Sequence, residues 1–578
     1  VTNFATGDVT FSGTAGATTA TVTGSGTTYN VAVSGMTGDG TVIASIPAGV
    51  ATDANGTPNT ASTSTDNIVT YNITAPTATI DLQDASDSGI SFIDNITNAA
   101  NPVFDVTFSE DLLSAPTGAS FSNAGTATGC TFTVGALTGS TYPVTASGCS
   151  EGTLILRLGA GAVVDLGTNP VAQTDGPTVT IDRTSPTVTI DQAVAQPDPT
   201  GASPINFTTI FSESVFGFTG LDVTLSGTAN PTVANVTGGP ATFNVAVSNM
   251  TTSGPGLTVI ANIGAGVATD TAGNPNTAST STDNSVVYNS NAPIVSINLQ
   301  TASDSGISSV DNITNVAAPV FDVAFDEAVS VPVNGNFSNA GTATGCTFAV
   351  GANTGTVALP VYPVTVSGCS EGTVLLRLAS NAVTNIAAVG NQQTTGPTVT
   401  IDRTSPTVTL NQAVGQPDPT NVLPISFTAV FNETVYNFVA GDVTLVAPAG
   451  ATAALIGTGP TYGVDVSGLT ADGTVTASIA AGVATDAAGN NNAASTSTDN
   501  SVTYDTVAPT VTINQAGGQL DPTNASPINF TVVFSEPVTG FATGDVTLSG
   551  TAGATTATVT GSGTTYNVAV SGMTGSGT

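Results

Sequence analysis

At residues 528–534 the chain reads INFTVVF, in which Ile528, Phe530, Val532 and Phe534 alternate with Asn529, Thr531 and Val533. A side-chain period of two marks a strand with one face on a core. Phe104, Val106 and Phe108 alternate in the same way with Asp105 and Thr107. The stretch TATVTGSGTTYNVAVSG, present at 19–35 and again at 556–572, reads as two strands about a glycine-containing turn. No helical period appears, and Gly or Pro interrupts most long segments. Short strands separated by turns predict an antiparallel β-sandwich in every unit of about a hundred residues.

The pattern repeats. A phrase close to SPTVTI recurs with its proline at Pro76, Pro186, Pro293, Pro406 and Pro509, at spacings of 110, 107, 113 and 103 residues. Two kinds of unit share this punctuation. The first contains INFTVVFSEPV, GDVTLSG, TYNVAVSG and GVATDAAGN, or close variants. It fills 185–291 and 405–507 and, in part, 1–74 and 508–578. The second contains SDSGISFIDNITN, NAGTATGC and SGCSEGT, and fills 75–184 and 292–404. Residues 1–41 and 538–578 differ at three positions only, being one stretch of the first kind seen twice. A window on a longer tandem array is the simpler expectation. Head-to-tail completion of a broken sandwich would supply several strands in duplicate. Linkers such as IDRTSP and YDTVAP are short and stiffened by proline, so an extended, semi-rigid rod is expected.

Composition changes the picture in three ways. The 578 residues carry 39 acids against four bases, all arginine, for a net charge of −35. Such a surface repels nucleic acid and anionic lipid, and suits divalent cations instead. Histidine is absent, which removes the usual general base and the nucleophile triads. The prominent acids recur in register: Glu213, Glu433 and Glu536 follow the VF strand, while Asp8, Asp222, Asp442 and Asp545 precede VT. An active site is assembled once, so the expectation is a non-enzymatic protein. No apolar run approaches the roughly 20 residues that span a bilayer, and no membrane insertion is expected of this segment.

VTGFATGDVTLSG, GTVTASIAAGVATDAAGN and STSTDNSVTYDTVAPTVTI resemble the bacterial immunoglobulin-like repeats of very large surface proteins and biofilm adhesins. ASDSGISFIDNITN resembles the opening of a related repeat type in the same proteins. The resemblance covers essentially the whole chain. It implies an immunoglobulin-like sandwich of about seven strands, a place outside the cell or on its surface, and work as stalk, spacer or adhesive surface. The expected partners are neighbouring repeats and, in a self-assembling filament or sheath, copies of the same chain. A glycan or host protein is the partner in the adhesive reading.

Four cysteines form two equivalent pairs, Cys130 with Cys149 and Cys346 with Cys369, one in each unit of the second kind. Their recurrence at matching places favours disulfides and an oxidising compartment; reduced core thiols are the alternative. Arg157 and Arg377, in LILRL and VLLRL, are each expected to meet a local carboxylate. Sequons recur at Asn95, Asn206, Asn312 and Asn529, as chance allows in a chain rich in Asn and Thr.

Calcium is the candidate cofactor. Asp53 and Asp66, Asp270 and Asp283, and Asp486 and Asp499 each stand 13 apart about a loop rich in Asn, Ser and backbone carbonyls. In the second kind, Asp87 and Asp94, and Asp304 and Asp311, bracket SGIS. Asp182, Asp402 and Asp505 lie in linkers, where an ion would lock neighbouring units. Calcium takes six to eight hard oxygens at about 2.3–2.6 Å, which carboxylates and carbonyls supply. Aspartate and asparagine also build Asx-turns without any ion.

Overall fold

A computed structural model describes residues 1–578. The chain is all-β, and every helical piece is a single 3-10 turn of three residues. It divides into two compact units, Val1–Ala292 with Thr384–Gly390, and Pro293–Val383 with Asn391–Thr578.

In the first unit, residues 185–291 show the sandwich most plainly. One sheet orders Val188–Gln192, Ile205–Phe211, Thr242–Ser248 and Val233–Gly238. The other orders Val223–Ser226, Thr258–Ile263 and Ser285–Val287. All neighbours in both sheets are antiparallel. The period of two sends Ile205, Phe207 and Phe211 inward, where they meet Val223, Val259 and Ile263 from the facing sheet. Burial at roughly 25 cal/mol per Å² of apolar surface is what holds the layers together. Residues 75–184 build a second core in which Phe104, Val106 and Phe108 are buried, as their alternation predicts. Residues 1–74 contribute the hairpin Thr19–Ser25 with Thr28–Ser34, and a sheet of Thr10–Ser12, Gly40–Ser45 and Ile68–Tyr71.

The second unit repeats these plans. Phe321 and Phe427 occupy the places of Phe104 and Phe207 in two separate cores. A smaller cluster gathers Val532, Tyr566, Val568 and Val570, with Phe530 and Phe534 partly buried beside it. Strand Ile528–Val538 thus carries its predicted face with less cover than Ile205–Phe211.

Among the paired strands, each unit of the second kind has one parallel pair, while units of the first kind have only isolated parallel bridges such as Thr200 with Tyr288 and Thr420 with Tyr504. Ile96–Thr97 runs parallel to Val179–Ile181, and Ile313–Thr314 runs parallel to Thr394–Ile401. The SDSGIS loop reverses the chain so that the DNIT segment lies alongside the last strand before the linker. Both disulfides are formed, Cys130–Cys149 and Cys346–Cys369. Each ties the start of one hairpin strand to the residues just after its partner.

The arginines divide. Arg157 pairs with Asp175, opposite it in the ladder, through Nε at 2.6 Å and Nη2 at 2.8 Å. Arg377 departs from expectation: its ladder partner is Thr395, and its Nε is buried without a hydrogen bond. The carboxylate of the first copy has been replaced by a hydroxyl in the second.

Candidate cation sites at the repeat joints

Each linker is tied down by a side chain of the repeat before it. Asp39 Oδ1 accepts the Ile73 N–H at 2.7 Å, and its other oxygen takes the Thr74 hydroxyl. Glu151 Oε1 accepts Arg183 N–H and Thr184 Oγ1–H, both at 2.9 Å. Glu371 does the same for Arg403 and Thr404, again at 2.9 Å. Asp472 holds Thr506 by its N–H at 3.0 Å and its hydroxyl at 2.8 Å. At the remaining linker the acceptor for the Ser290 N–H is the Ser253 hydroxyl. The Ile73 and Thr74 donors hold the Asp39 carboxyl below the usual carboxylate range.

The tied linker then presents a polar side chain to the next repeat. Within the first unit two versions occur. Asn72 Nδ2 donates to Glu110 Oε2 at 2.8 Å and to Asp165 Oδ2 at 2.9 Å. Asn169 closes the ring by donating Nδ2 to Asp165 at 2.9 Å and to the Asn72 carbonyl at 3.0 Å. One joint further on, Asp182 stands where Asn72 stood. Carboxylate oxygens of Asp182, Glu213 and Asp270 lie within 4.8 Å of one another. Asn274 repeats the role of Asn169, bonding the Asp270 carboxylate and the Asp182 carbonyl at 2.9 Å. In the second unit Asp402, Glu433 and Asp486 form the same triad, with Asn490 as its amide.

The acids of these triads oppose one another. Burial, and then the charges of Asp182, Asp270 and Glu151, push the Glu213 carboxyl above its ordinary value. Burial, Asp486 and Asp402 do the same to Glu433. Three hard oxygens from three segments, with no basic side chain among them, suit a divalent cation.

The structure joins Asp182 to Asp270 and Asp402 to Asp486, and sets their sequence neighbours apart. Asp283 and Asp499 belong to neither triad; their N–H groups go to Asp191 and Asn411 on the first strand of their own repeats. Asp53 Oδ1 accepts the N–H groups of Asn55 at 2.8 Å and Thr57 at 2.9 Å, an Asx-type loop. Asp66 is exposed. Asp505 lines a shallow cleft with Asp472 and Glu536, and its Oδ1 accepts the Val507 N–H at 3.0 Å. Asp87 and Asp304 are buried, while Asp94 and Asp311 are exposed. Oδ1 of Asp94 and of Asp311 each takes the N–H two residues on, at 3.1 Å. Sequence reasoning noted Glu213 and Glu433 as repeat features and missed them as members of the site. Their fixed place after the VF strand, one linker beyond Asp182 and Asp402, was the available signal.

No protein-family model matches the chain, and no curated protein matches it. Among solved structures it is similar to surface layer protein SbsC, domains 1-6, and to the S-layer protein rSbsC(31-844). Identity is 13% and the TM-score 0.18 in both, covering 86% of this chain. The chain matches 63% of the length of each, less than two thirds of those structures.

Proposed function

We propose that this chain is a structural repeat region of a bacterial cell-surface or secreted protein, projecting as a stalk or building an extracellular fibre. The observation that carries this reading is the recurrent joint. Every linker is tied to the preceding repeat by a side chain, and at Asn72, Asp182 and Asp402 the linker then meets acids of the next repeat. A chain selected for a single binding or catalytic pocket has no need to rebuild one joint along its length. The resemblance to immunoglobulin-like repeats of surface proteins and adhesins, and two disulfides suited to an oxidising compartment, point the same way.

Calcium is the proposed cofactor of the joints, with Asp182, Glu213 and Asp270, and Asp402, Glu433 and Asp486, as its ligands. Bound ion would neutralise three mutually repelling carboxylates and stabilise the folded array by mass action. Lateral or end-to-end self-assembly is the second reading, which a low density of charged residues, 7% of the chain, and the edge strands of its sheets would permit. Immunogold electron microscopy of the native source tests both. Label along isolated surface threads supports the stalk, an ordered array of labelled subunits supports assembly, and label confined to the cytoplasm overturns the proposal.

A further inference from the structure

The disulfides and the linker arginines occur together. Arg183 and Arg403 begin the two linkers that follow a disulfide-bearing repeat, and the matching place in the other linkers holds Ile73, Ser290 and Thr506. Each arginine rests on the segment at the second cysteine. Its backbone N–H goes to Glu151 in one copy and to Glu371 in the other, at 2.9 Å in both. Its Nη1 donates to the carbonyl of the cysteine itself, Cys149 at 2.9 Å and Cys369 at 3.1 Å.

The other arm of the guanidinium reaches the segment that holds the next repeat. Nη2 of Arg183 donates to the Ala99 carbonyl at 2.8 Å, and Nη2 of Arg403 to the Val316 carbonyl at 3.3 Å. One residue earlier, the Asn98 N–H bonds Ser88 Oγ at 2.8 Å, and that hydroxyl donates to the Ala272 carbonyl of the next repeat at 2.9 Å. Gly89, at φ +97°, packs so close that a Cβ there would fall 2.0 Å from the Thr271 oxygen. In the second unit the Asn315 N–H bonds Ser305 Oγ, and Ser305 donates to the Ala488 carbonyl, both at 2.9 Å. The arginine is thus a strut between the disulfide hairpin and the segment that docks on the next repeat.

The strut depends on where its acceptors sit. The one ion pair of the chain is Arg157 with Asp175, so no carboxylate answers either linker guanidinium. Nε of Arg183 and of Arg403 is buried without a hydrogen bond. A partly buried charge held by neutral carbonyls is stable only while those carbonyls stay aligned with its N–H groups. At Cys149 and Cys369 the bridge to the facing strand supplies that constraint on the backbone. Cys149 and Cys369 are buried, whereas Cys130 and Cys346 are partly open to solvent.

We propose that each disulfide is a thiol-sensitive lock on the joint that follows its repeat. Intact, it fixes the carbonyl that seats the linker arginine, and with it the direction in which the next repeat leaves. A dithiol reductant opens the lock by attack at the more exposed sulfur, that of Cys130 or Cys346. The S–S bond breaks and two S–H groups form. The reductant gives up two electrons and two protons and closes to its own disulfide. The cysteine carbonyl then moves freely, the arginine loses an anchor and the linker swings, while the cores around Phe104 and Phe321 stay closed. The lock rests on the reading of the linkers as structural joints and needs no bound cation.

Trypsin acting on the full chain in chelator tests it, because the four arginines are its only sites. Arg157 and Arg377 lie inside strands Leu156–Leu158 and Gly372–Leu378, so cuts there report unfolding of the repeat. The variant with all four cysteines changed to serine should be cut after Arg183 and Arg403 about tenfold faster than wild type, a factor that one lost hydrogen bond accounts for. Those cuts should precede any after Arg157 or Arg377. Hydrogen exchange of wild type should accelerate in dithiothreitol at the amides of Arg183, Thr184, Arg403 and Thr404. It should not change at Ile73 and Thr74, whose linker follows no disulfide. Linkers cut equally slowly in variant and wild type overturn the lock and leave the joint reading standing. Cuts after Arg157 and Arg377 that keep pace with the linker cuts also overturn it, since the bridges then support the repeat alone. Linkers cut as fast as an unfolded peptide in both proteins overturn the lock and the joint reading together.

Discussion

Nδ2 of Asn72 donates to Oε2 of Glu110 at 2.8 Å, a bond that runs from the end of one repeat to a strand end of the next. Where Asp182 takes the place of Asn72, that donor is lost and a third carboxylate enters the ring. One position therefore decides whether a joint is closed by an amide or left as a cluster of acids.

Exchanging the two residues should exchange the behaviour. Asn72→Asp removes both amide bonds and adds a charge beside Glu110 and Asp165, which should cost about 1–3 kcal/mol in chelator. Calcium should restore most of the loss. Asp182→Asn should be neutral or stabilising in chelator and less responsive to calcium. Calorimetric melts with and without chelator measure both. Identical melts for Asn72→Asp and wild type in chelator would show that the amide contributes nothing to the joint.

Acid should release the first linker through Asp39. Its folded carboxyl lies below the usual value because it accepts the Ile73 N–H and the Thr74 hydroxyl. A depressed carboxylate contributes stability above its unfolded value of about 3.9, and that stability is lost as pH falls through the folded value. Cleavage in the linker at 72–76 by an acid-tolerant protease such as pepsin should rise as pH drops below about 4. Asp39→Asn should be cut at a rate that changes little over the same range. Equal pH profiles for the two proteins would remove Asp39 from the account.

Each disulfide closes a short loop, with sequence separations of 19 and 23 residues. Loop-closure entropy assigns about 3 kcal/mol to a bridge of this span. Cys130→Ser with Cys149→Ser should lower the stability of residues 75–184 by that order and leave the core around Phe427 unchanged. Hydrogen exchange resolved by repeat reads the difference. Mass spectrometry of unreduced digests should find Cys130 joined to Cys149 and Cys346 to Cys369, and free thiols at all four positions would contradict the pairing.

The two arginines of residues 75–184 should differ in worth. Arg157 and Asp175 are both exposed enough for water to screen the pair, so Arg157→Ala should change stability little. Arg183 bonds the carbonyls of Cys149, Ala99 and Ala100 from a partly buried position. Arg183→Ala should cost about 1–3 kcal/mol, because those acceptors lose their charged donor. Denaturant melts of the two variants should separate them, and an equal cost would show that the Arg183 carbonyl contacts are solvated.

The repeat punctuation, the two kinds of unit, the inward faces of INFTVVF and VFDVTF and the cysteine partners were all legible in the chain. These depend on local rules. A strand alternates its side chains by backbone geometry alone, so Phe104, Val106 and Phe108 share a face wherever the strand lies. Spacing along the chain was a poor guide to which acids meet. Asp270 and Asp283 bracket one loop, yet the loop turns Asp270 inward against Asp182 and Glu213 and leaves Asp283 paired through its backbone with Asp191. Convergence of three segments from two repeats is fixed by the linker ties and by the docking of Ser88 and Gly89 on the next repeat, contacts between residues far apart in the chain that strand alternation does not reveal. Burial of Asp87 and the missing partner of Arg377 were likewise tertiary decisions. The first follows from a loop folding over its own aspartate, and the second from Thr395 falling in the register that Asp175 fills in the other copy.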